Sequence, residues 1–573
     1  MLGTPSQESE TRNVSESGYD VLITGARIVD GTGNPWRYGD VALTGELITK
    51  LASPGSIQPG DAREVVAAHD MVICPGFLDI LSQSLPGLLR DPRGISKITQ
   101  GVTTEILGEV RTPAPFGGRI ADPFSASDLL RIGPTATMWE KRACHWRRFS
   151  DWLDALANHP TSVNLGSFLG GGTVREFVKG YDSSPANTDE VTAMRELVAS
   201  AMEDGALGLA TALIYSPCSF ATTDEIVSLA EIVAGYGGIY ATHVRSEGNR
   251  FLEALDEAIE IGQRVRVPVE VFHLKAAGER NWPKLSKAIA RIEAARSEGI
   301  DVTADMYPYV GAGTDLTVSL PPWAREEPVL YDRLADPAWR DRFRAEMAQS
   351  IADWENLAAL AGPDNVFPLA LTVPELRTYQ GKTLADIAAI RGQDWIDTVM
   401  DLLASERQGI FSAFLLMSEE NQLLGLKQPW MKIASDAPAL DPEWAIAEGP
   451  AHPRSYGTFP RVLDCYVREQ RVLSVEEAVR KMTSAVADRL GLTGRGLLRA
   501  GMHADVVIFD PTKIGDRATF TDPHQLSTGV RDVWVNGTRV LRDSVHTGAL
   551  PGRVLFGPGR IRGPCKSQVN EVG

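Results

Sequence analysis

The chain has 573 residues, with 57 basic against 74 acidic side chains and a formal net charge of −17. Its 43% hydrophobic content is enough to bury a large core, which excludes intrinsic disorder as the dominant state. An acidic surface repels phosphate, so a general nucleic-acid coat is excluded, and the length allows up to four domains or one large α/β barrel with an accessory domain.

Residues 1–18 read as a polar, disordered tail without the apolar core of a signal peptide. The five cysteines, Cys74, Cys144, Cys218, Cys465 and Cys565, are odd in number and widely spaced. That pattern fits a reducing compartment and neither a disulfide framework nor a structural zinc finger. No apolar run reaches about 18 residues. The expectation is a cytoplasmic protein with no nucleic-acid or membrane partner; homo-oligomerisation stays open.

Asp20–Val29 alternates polar and apolar residues, and Asp40–Leu43 and Leu47–Leu51 add short strands between glycine-rich turns. These read as part of a small β-sandwich. From Gly76 onward the pattern changes to apolar runs of strand length alternating with helical stretches, which predicts βα units on a parallel sheet. Eight strands are expected: Gly76–Leu81, Thr103–Glu109, Ser162–Leu169, Ala206–Leu213, Gly238–His243, Val267–His273, Asp301–Tyr307 and Met431–Asp436. Between them Ser184–Met202, Thr223–Gly235, Arg250–Arg264 and Asn281–Ser297 read as helices. Four successive strand ends, at 213, 243, 273 and 307, lie 30, 30 and 34 residues apart, about one βα unit each. Eight units predict a (β/α)8 TIM barrel with its active site at the C-terminal ends of the strands.

The last interval, from 307 to 436, is too long for a structureless loop. It contains helix-like stretches at Tyr331–Leu357 and Leu384–Ser405, so an inserted subdomain is expected over 321–428, where it could cover the barrel mouth. Beyond the barrel, Ser474–Leu490 reads as helix, and Ala504–Phe509 and Val530–Val540 as strands that rejoin the N-terminal ones. The expected organisation is a composite β-sandwich from 19–74 and 497–556, a barrel over 75–496, and a C-terminal tail over 557–573.

Among only nine histidines, His243 and His273 end neighbouring predicted strands. A lone histidine there reads as a hydrogen-bonded core residue; two equivalently placed imidazoles suit a divalent metal, zinc first. Asp436 ends the eighth strand, where a carboxylate can take a proton from an activated water and return it to a leaving amine. Glu109, near the end of the second, could supply an anionic ligand. Lys275, two residues past His273, points to the same side if that strand continues. With Tyr307 and Arg454 it could bind a substrate anion, Arg by a two-bond fork. Each alone is ordinary as a cap, surface charge or packed ring. The basic stretch Lys141–Arg148 reads as a solvated helix face.

The motifs PGFLDI, QGVTTEILGE, GALGLATALIYSP, GGIYATHVRSEG, HLKAAG, DVTADMYPY, ASDAP and HPRSYGTFPRVL occur in one order. Over residues 19–550 the chain thereby resembles the amidohydrolase superfamily and, within it, the D-aminoacylases (N-acyl-D-amino-acid deacylases). The resemblance implies a metal-dependent barrel flanked by a β-sandwich from both chain ends. It implies metal ligation by His243 and His273, Asp436 as proton shuttle, and Lys275, Tyr307 and Arg454 on the substrate carboxylate. Where many relatives carry a cysteine after the second strand this chain has Glu109 and Val110, so a Glu109 ligand would replace the thiolate. The first strand departs further: the family's Asp-x-His-x-His is here Asp79-Ile80-Leu81-Ser82-Gln83, with neither histidine.

Two outcomes follow. One zinc ion survives on Glu109, His243 and His273, or the barrel is non-catalytic. Retention of the remaining site residues favours the first. The expected function is a metal-dependent amide hydrolase acting on N-acyl-D-amino acids or small peptides with a D-residue. A cyclic amidase (hydantoinase- or dihydroorotase-like) and a non-catalytic scaffold are the alternatives.

Overall fold

The computed structural model describes residues 18–325, 329–348 and 354–562. The tail expected over 1–18 lies almost wholly outside them. Eight parallel strands form the centre: β1 (Phe77–Asp79), β2 (Val102–Leu107), β3 (Asn164–Ser167, carried on by Leu169–Gly170), β4 (Gly208–Ala212), β5 (Ile239–His243), β6 (Val269–Val271), β7 (Val302–Met306) and β8 (Met431–Ile433). They pair in sequence order, and a parallel bridge between Ser82 and Ala437 closes β8 onto β1. The result is a (β/α)8 barrel. Every residue of β1, β2, β4 and β5 is buried, as expected of strands covered on both faces.

Alternation sorts the strand residues into two cores. Ala210, Ala241 and Ala434 pack inside the barrel with Phe168 and Phe272, while Leu209, Val271, Ala304 and Ile433 face the helices. Helix boundaries follow local chemistry. Thr188–Asp204 starts at an Asn187 capping box and stops at Gly205, whose φ of 115° only glycine tolerates easily.

Several predicted helices are divided. Tyr331–Leu357 is interrupted at Asp336, whose carboxylate accepts the Ala338 N–H, and resumes at Pro337–Ala348. Leu384–Ser405 breaks at Gly392 (φ 66°), and Ser474–Leu490 breaks at Thr483. Lys141–Arg148 is not one solvated helix face: its helix ends at Ala143, and Trp146 is buried against Trp139.

The long interval between β7 and β8 holds an antiparallel sheet of Gly311–Asp315, Phe411–Leu415 and Val366–Pro368, with helices and a separate hydrophobic core. Its first strand lies ahead of Pro321, because Gly311–Asp315 pairs with Phe411–Leu415. Strands from both chain ends form one nine-stranded sheet, where Ile73 pairs with Ile508 and alternate residues of both halves share a core. The stretch expected as a tail from Gly557 opens with a helix, Pro558–Arg562, anchored by the Gly557 N–H to the Gly205 carbonyl. Residues 563–573 lie outside the described ones. No helix among the described residues is long and apolar enough to cross a membrane.

Candidate metal centre and active site

His243 closes β5 and faces inward by plain alternation. His273 does not: β6 stops at Val271, and His273 takes a left-handed backbone (φ 36°) that a non-glycine residue adopts only when held. The Asp305 carboxylate holds it, accepting the His273 N–H at 2.8 Å. The turned imidazole lies edge-on to His243, ring centroids 4.4 Å apart. Glu109 lies beyond β2, after Gly108 (φ 92°). Its Oε1 is 3.5 Å from His243 Nδ1 and 3.4 Å from His273 Nε2. Facing ligand atoms of these three residues all lie within 4.8 Å of one another. Two imidazole nitrogens and one carboxylate oxygen suit a catalytic divalent ion, so the donor set fits zinc. The electrostatics agree. Burial opposes the Glu109 charge, yet the two histidines hold its carboxyl well below the usual range. Against burial and the Lys275 charge, Glu109 and Glu247 raise His273 to about 9. The pocket is built to attract positive charge.

Asp436 stands beside this cluster, also left-handed (φ 47°), its N–H bonded to the Leu81 carbonyl across the barrel seam. Arg454 Nη1 reaches Asp436 Oδ2 at 2.9 Å, and both side chains are buried. Tyr307 lies between the cations, with Arg454 4.6 Å and Lys275 5.6 Å from its ring centre. Burial pushes the Tyr307 hydroxyl up, so it stays protonated. The predicted site residues therefore meet around one mouth. Lys275 arrives there without the continuing strand that its spacing from His273 predicts. It is drawn in by Glu247 Oε1 at 2.5 Å and lies 2.7 Å from His273 Nδ1.

Three residues were missed or undervalued. Glu247 Oε1 lies 3.4 Å from His243 Nε2 and 3.1 Å from His273 Nδ1, behind the ring faces that meet Glu109. Its only sequence signal is its place four residues after His243. Gln83, read as a lost ligand, donates to Glu109 Oε2 at 2.5 Å and to Asp436 Oδ1 at 3.2 Å. His452, kept neutral by burial and by Arg454, accepts the Arg454 N–H and bonds the Gly311 carbonyl. It ties Arg454 to the insert. Leu81 packs into the apolar barrel interior and offers no ligand. A cavity of about 650 Å³ opens over these groups, walled partly by Gly313, Thr314 and Phe411 of the inserted sheet.

A family model described as the amidohydrolase family matches residues 439–541. D-aminoacylase of Alcaligenes xylosoxydans xylosoxydans is 34% identical over 538 residues, 94% of this chain and 97% of the relative. A crystal structure of D-aminoacylase superposes with a TM-score of 0.76 at 31% identity, covering 94% of this chain and 100% of that one. N-acyl-D-glutamate deacylase from Bordetella bronchiseptica, solved with zinc and a phosphonate mimic of the tetrahedral intermediate, gives 0.76 at 28% identity with the same coverage. The chain belongs to the D-aminoacylase family of amidohydrolases.

Proposed function

We propose that this protein is a zinc-dependent amide hydrolase that deacylates N-acyl-D-amino acids, or small peptides carrying a D-residue, with one ion held by Glu109, His243 and His273. The observation that carries the reading is the convergence of those three donors with Asp436 and Arg454 at one barrel mouth, in a chain so similar to D-aminoacylase. When bound, zinc supplies Lewis-acid activation of water and of the acyl carbonyl. The protein's own groups do the rest. Asp436 receives the proton of the attacking water and delivers it to the departing nitrogen. Glu247 holds the His273 imidazole from behind and lies 3.4 Å from His243 Nε2. Lys275, Tyr307 and Arg454 hold the substrate carboxylate.

Charge supports one ion and an anionic substrate. Glu109, Glu247 and Asp436 carry three negative charges; Lys275 and Arg454 carry two positive ones. Burial disfavours the Lys275 ammonium, but Glu247 outweighs it and holds its pKa above the ordinary value. One divalent ion leaves the site with a single positive charge, which one carboxylate neutralises. A second ion would leave three. On this reading the barrel spans 75–496, the composite sandwich 19–74 and 497–556, and the insert shapes side-chain preference from its wall of the cavity.

Zinc-loaded protein and Asp436→Asn should be assayed on N-acetyl-D-, N-acetyl-L- and cyclic amide substrates. Zinc-dependent release of the free D-amino acid is expected. Asp436→Asn should keep its zinc and lose roughly 10²–10⁴-fold in turnover. Hydrolysis confined to ring amides, or to L-substrates, would replace this function with another.

A further inference from the structure

We propose that Gln83 takes the place of a cation between Glu109 and Asp436, positioning both carboxylates and committing the site to a single metal ion. The inference rests on the hydrolase reading above and names a residue that reading does not need.

Gln83 Nε2 lies 2.5 Å from Glu109 Oε2 and 3.2 Å from Asp436 Oδ1. An amide nitrogen has two N–H donors, and two carboxylate acceptors use both. Each carboxylate is thereby divided. Glu109 keeps Oε2 on Gln83 and presents Oε1 to His243 and His273. Asp436 keeps Oδ1 on Gln83 and Oδ2 on Arg454. Two anions that would otherwise repel one another, or draw in a proton or a metal, share a neutral donor instead.

The placement is set by the backbone. The Gln83 N–H donates to the Ala437 carbonyl and the Asp436 N–H to the Leu81 carbonyl, so both residues sit on the seam that closes the barrel. The amide meets the carboxylates because the ladder puts it there. Two residues earlier Leu81 fills the apolar interior, so the strand end supplies no ligand of its own. A neutral amide keeps the charge balance that suits one divalent ion and one carboxylate. Gln83 is a positioning residue: it acts through Glu109 and Asp436.

The test uses full-length, metal-depleted protein titrated with zinc and with cobalt(II), by calorimetry and elemental analysis, for the wild type, Gln83→Leu and Gln83→Glu. The wild type should take up one equivalent. Gln83→Glu adds a third carboxylate between the other two and should acquire a second equivalent, at least ~10-fold tighter than any further binding by the wild type, with cobalt–cobalt coupling visible by electron paramagnetic resonance. Gln83→Leu should hold its first equivalent within about 10-fold while kcat on an N-acetyl-D-amino acid falls roughly 10–100-fold and KM stays within about 3-fold, because Asp436 loses its aim. Two zinc equivalents of similar affinity in the wild type, wild-type kcat in Gln83→Leu, or single-ion binding by Gln83→Glu would each overturn the role of Gln83 and leave the hydrolase reading standing. Failure of the wild type to bind zinc at all overturns the hydrolase reading, and this inference with it.

Discussion

Replacing Glu247 by Gln removes one negative charge and almost no volume, and the structure says what should follow. Its carboxylate is buried and meets three nitrogens: Lys275 at 2.5 Å, His273 at 3.1 Å and His243 at 3.4 Å. Two costs are separable. The first is on the metal. Loss of a carboxylate that orients ligating imidazoles weakens metal binding by about 10–100-fold, equivalent to about 1.4–2.7 kcal/mol. The second is on folding. Lys275 is left buried without its anion, and breaking one side of a buried ion pair costs about 3–5 kcal/mol. Lys275→Met separates them. In the double variant the stranded ammonium is gone, so the folding loss should shrink while the zinc deficit remains. Competition against a chromophoric chelator reads the first quantity, and urea unfolding of the metal-depleted protein reads the second. Zinc affinity within about 2-fold of wild type in Glu247→Gln, measured above pH 9 where the His273 proton no longer competes, would refute the claim that this carboxylate holds the histidines for the metal.

Three further outcomes are expected. In metal-depleted protein His273 keeps its proton to about pH 9, so zinc must displace it. Apparent zinc affinity should rise about tenfold per pH unit toward 9 and level off above it, as proton competition requires. The sign for folding is opposite. The raised pKa stabilises the metal-depleted fold fully below about 6.5, and that contribution should be lost between 6.5 and 9 in urea midpoints measured across pH. Gly108→Ala should lose zinc without touching a ligand. Its φ is 92° and a Cβ there would lie 2.3 Å from the Phe168 carbonyl oxygen, so the turn that carries Glu109 must shift. A lowered melting temperature and zinc affinity down by at least ~10-fold are expected; an unchanged zinc titration would show that Glu109 does not depend on that turn.

Much of the molecule could be read in one dimension. All eight barrel strands overlap the stretches the sequence assigns to them, because most positions of strands covered on both faces are apolar or small and the helices between them set a regular period, although β6 and β8 stop short of His273 and Asp436. His243 was legible for the same reason: strict alternation carries it inward from Ile239 and Ala241. Breaks within the longer helical patterns were harder, since Thr483 carries no strong stop signal and Gly392 is a single residue in an otherwise helical run.

Tertiary structure alone decided how the chemistry is arranged. His273 reaches the metal cluster through a left-handed turn that alternation cannot anticipate. Lys275 is placed by Glu247 and not by a strand, and Gln83 meets Asp436 across 353 residues of chain. These contacts form only when β8 closes on β1 and the strand ends gather around one mouth. The composition and motif order determined that this is a large acidic α/β enzyme chain with two histidines and an aspartate at or just beyond strand ends. Closure of the barrel decided that the glutamine in place of a family histidine bridges two carboxylates, because a side chain's partners across a barrel mouth leave no periodic trace in its own sequence.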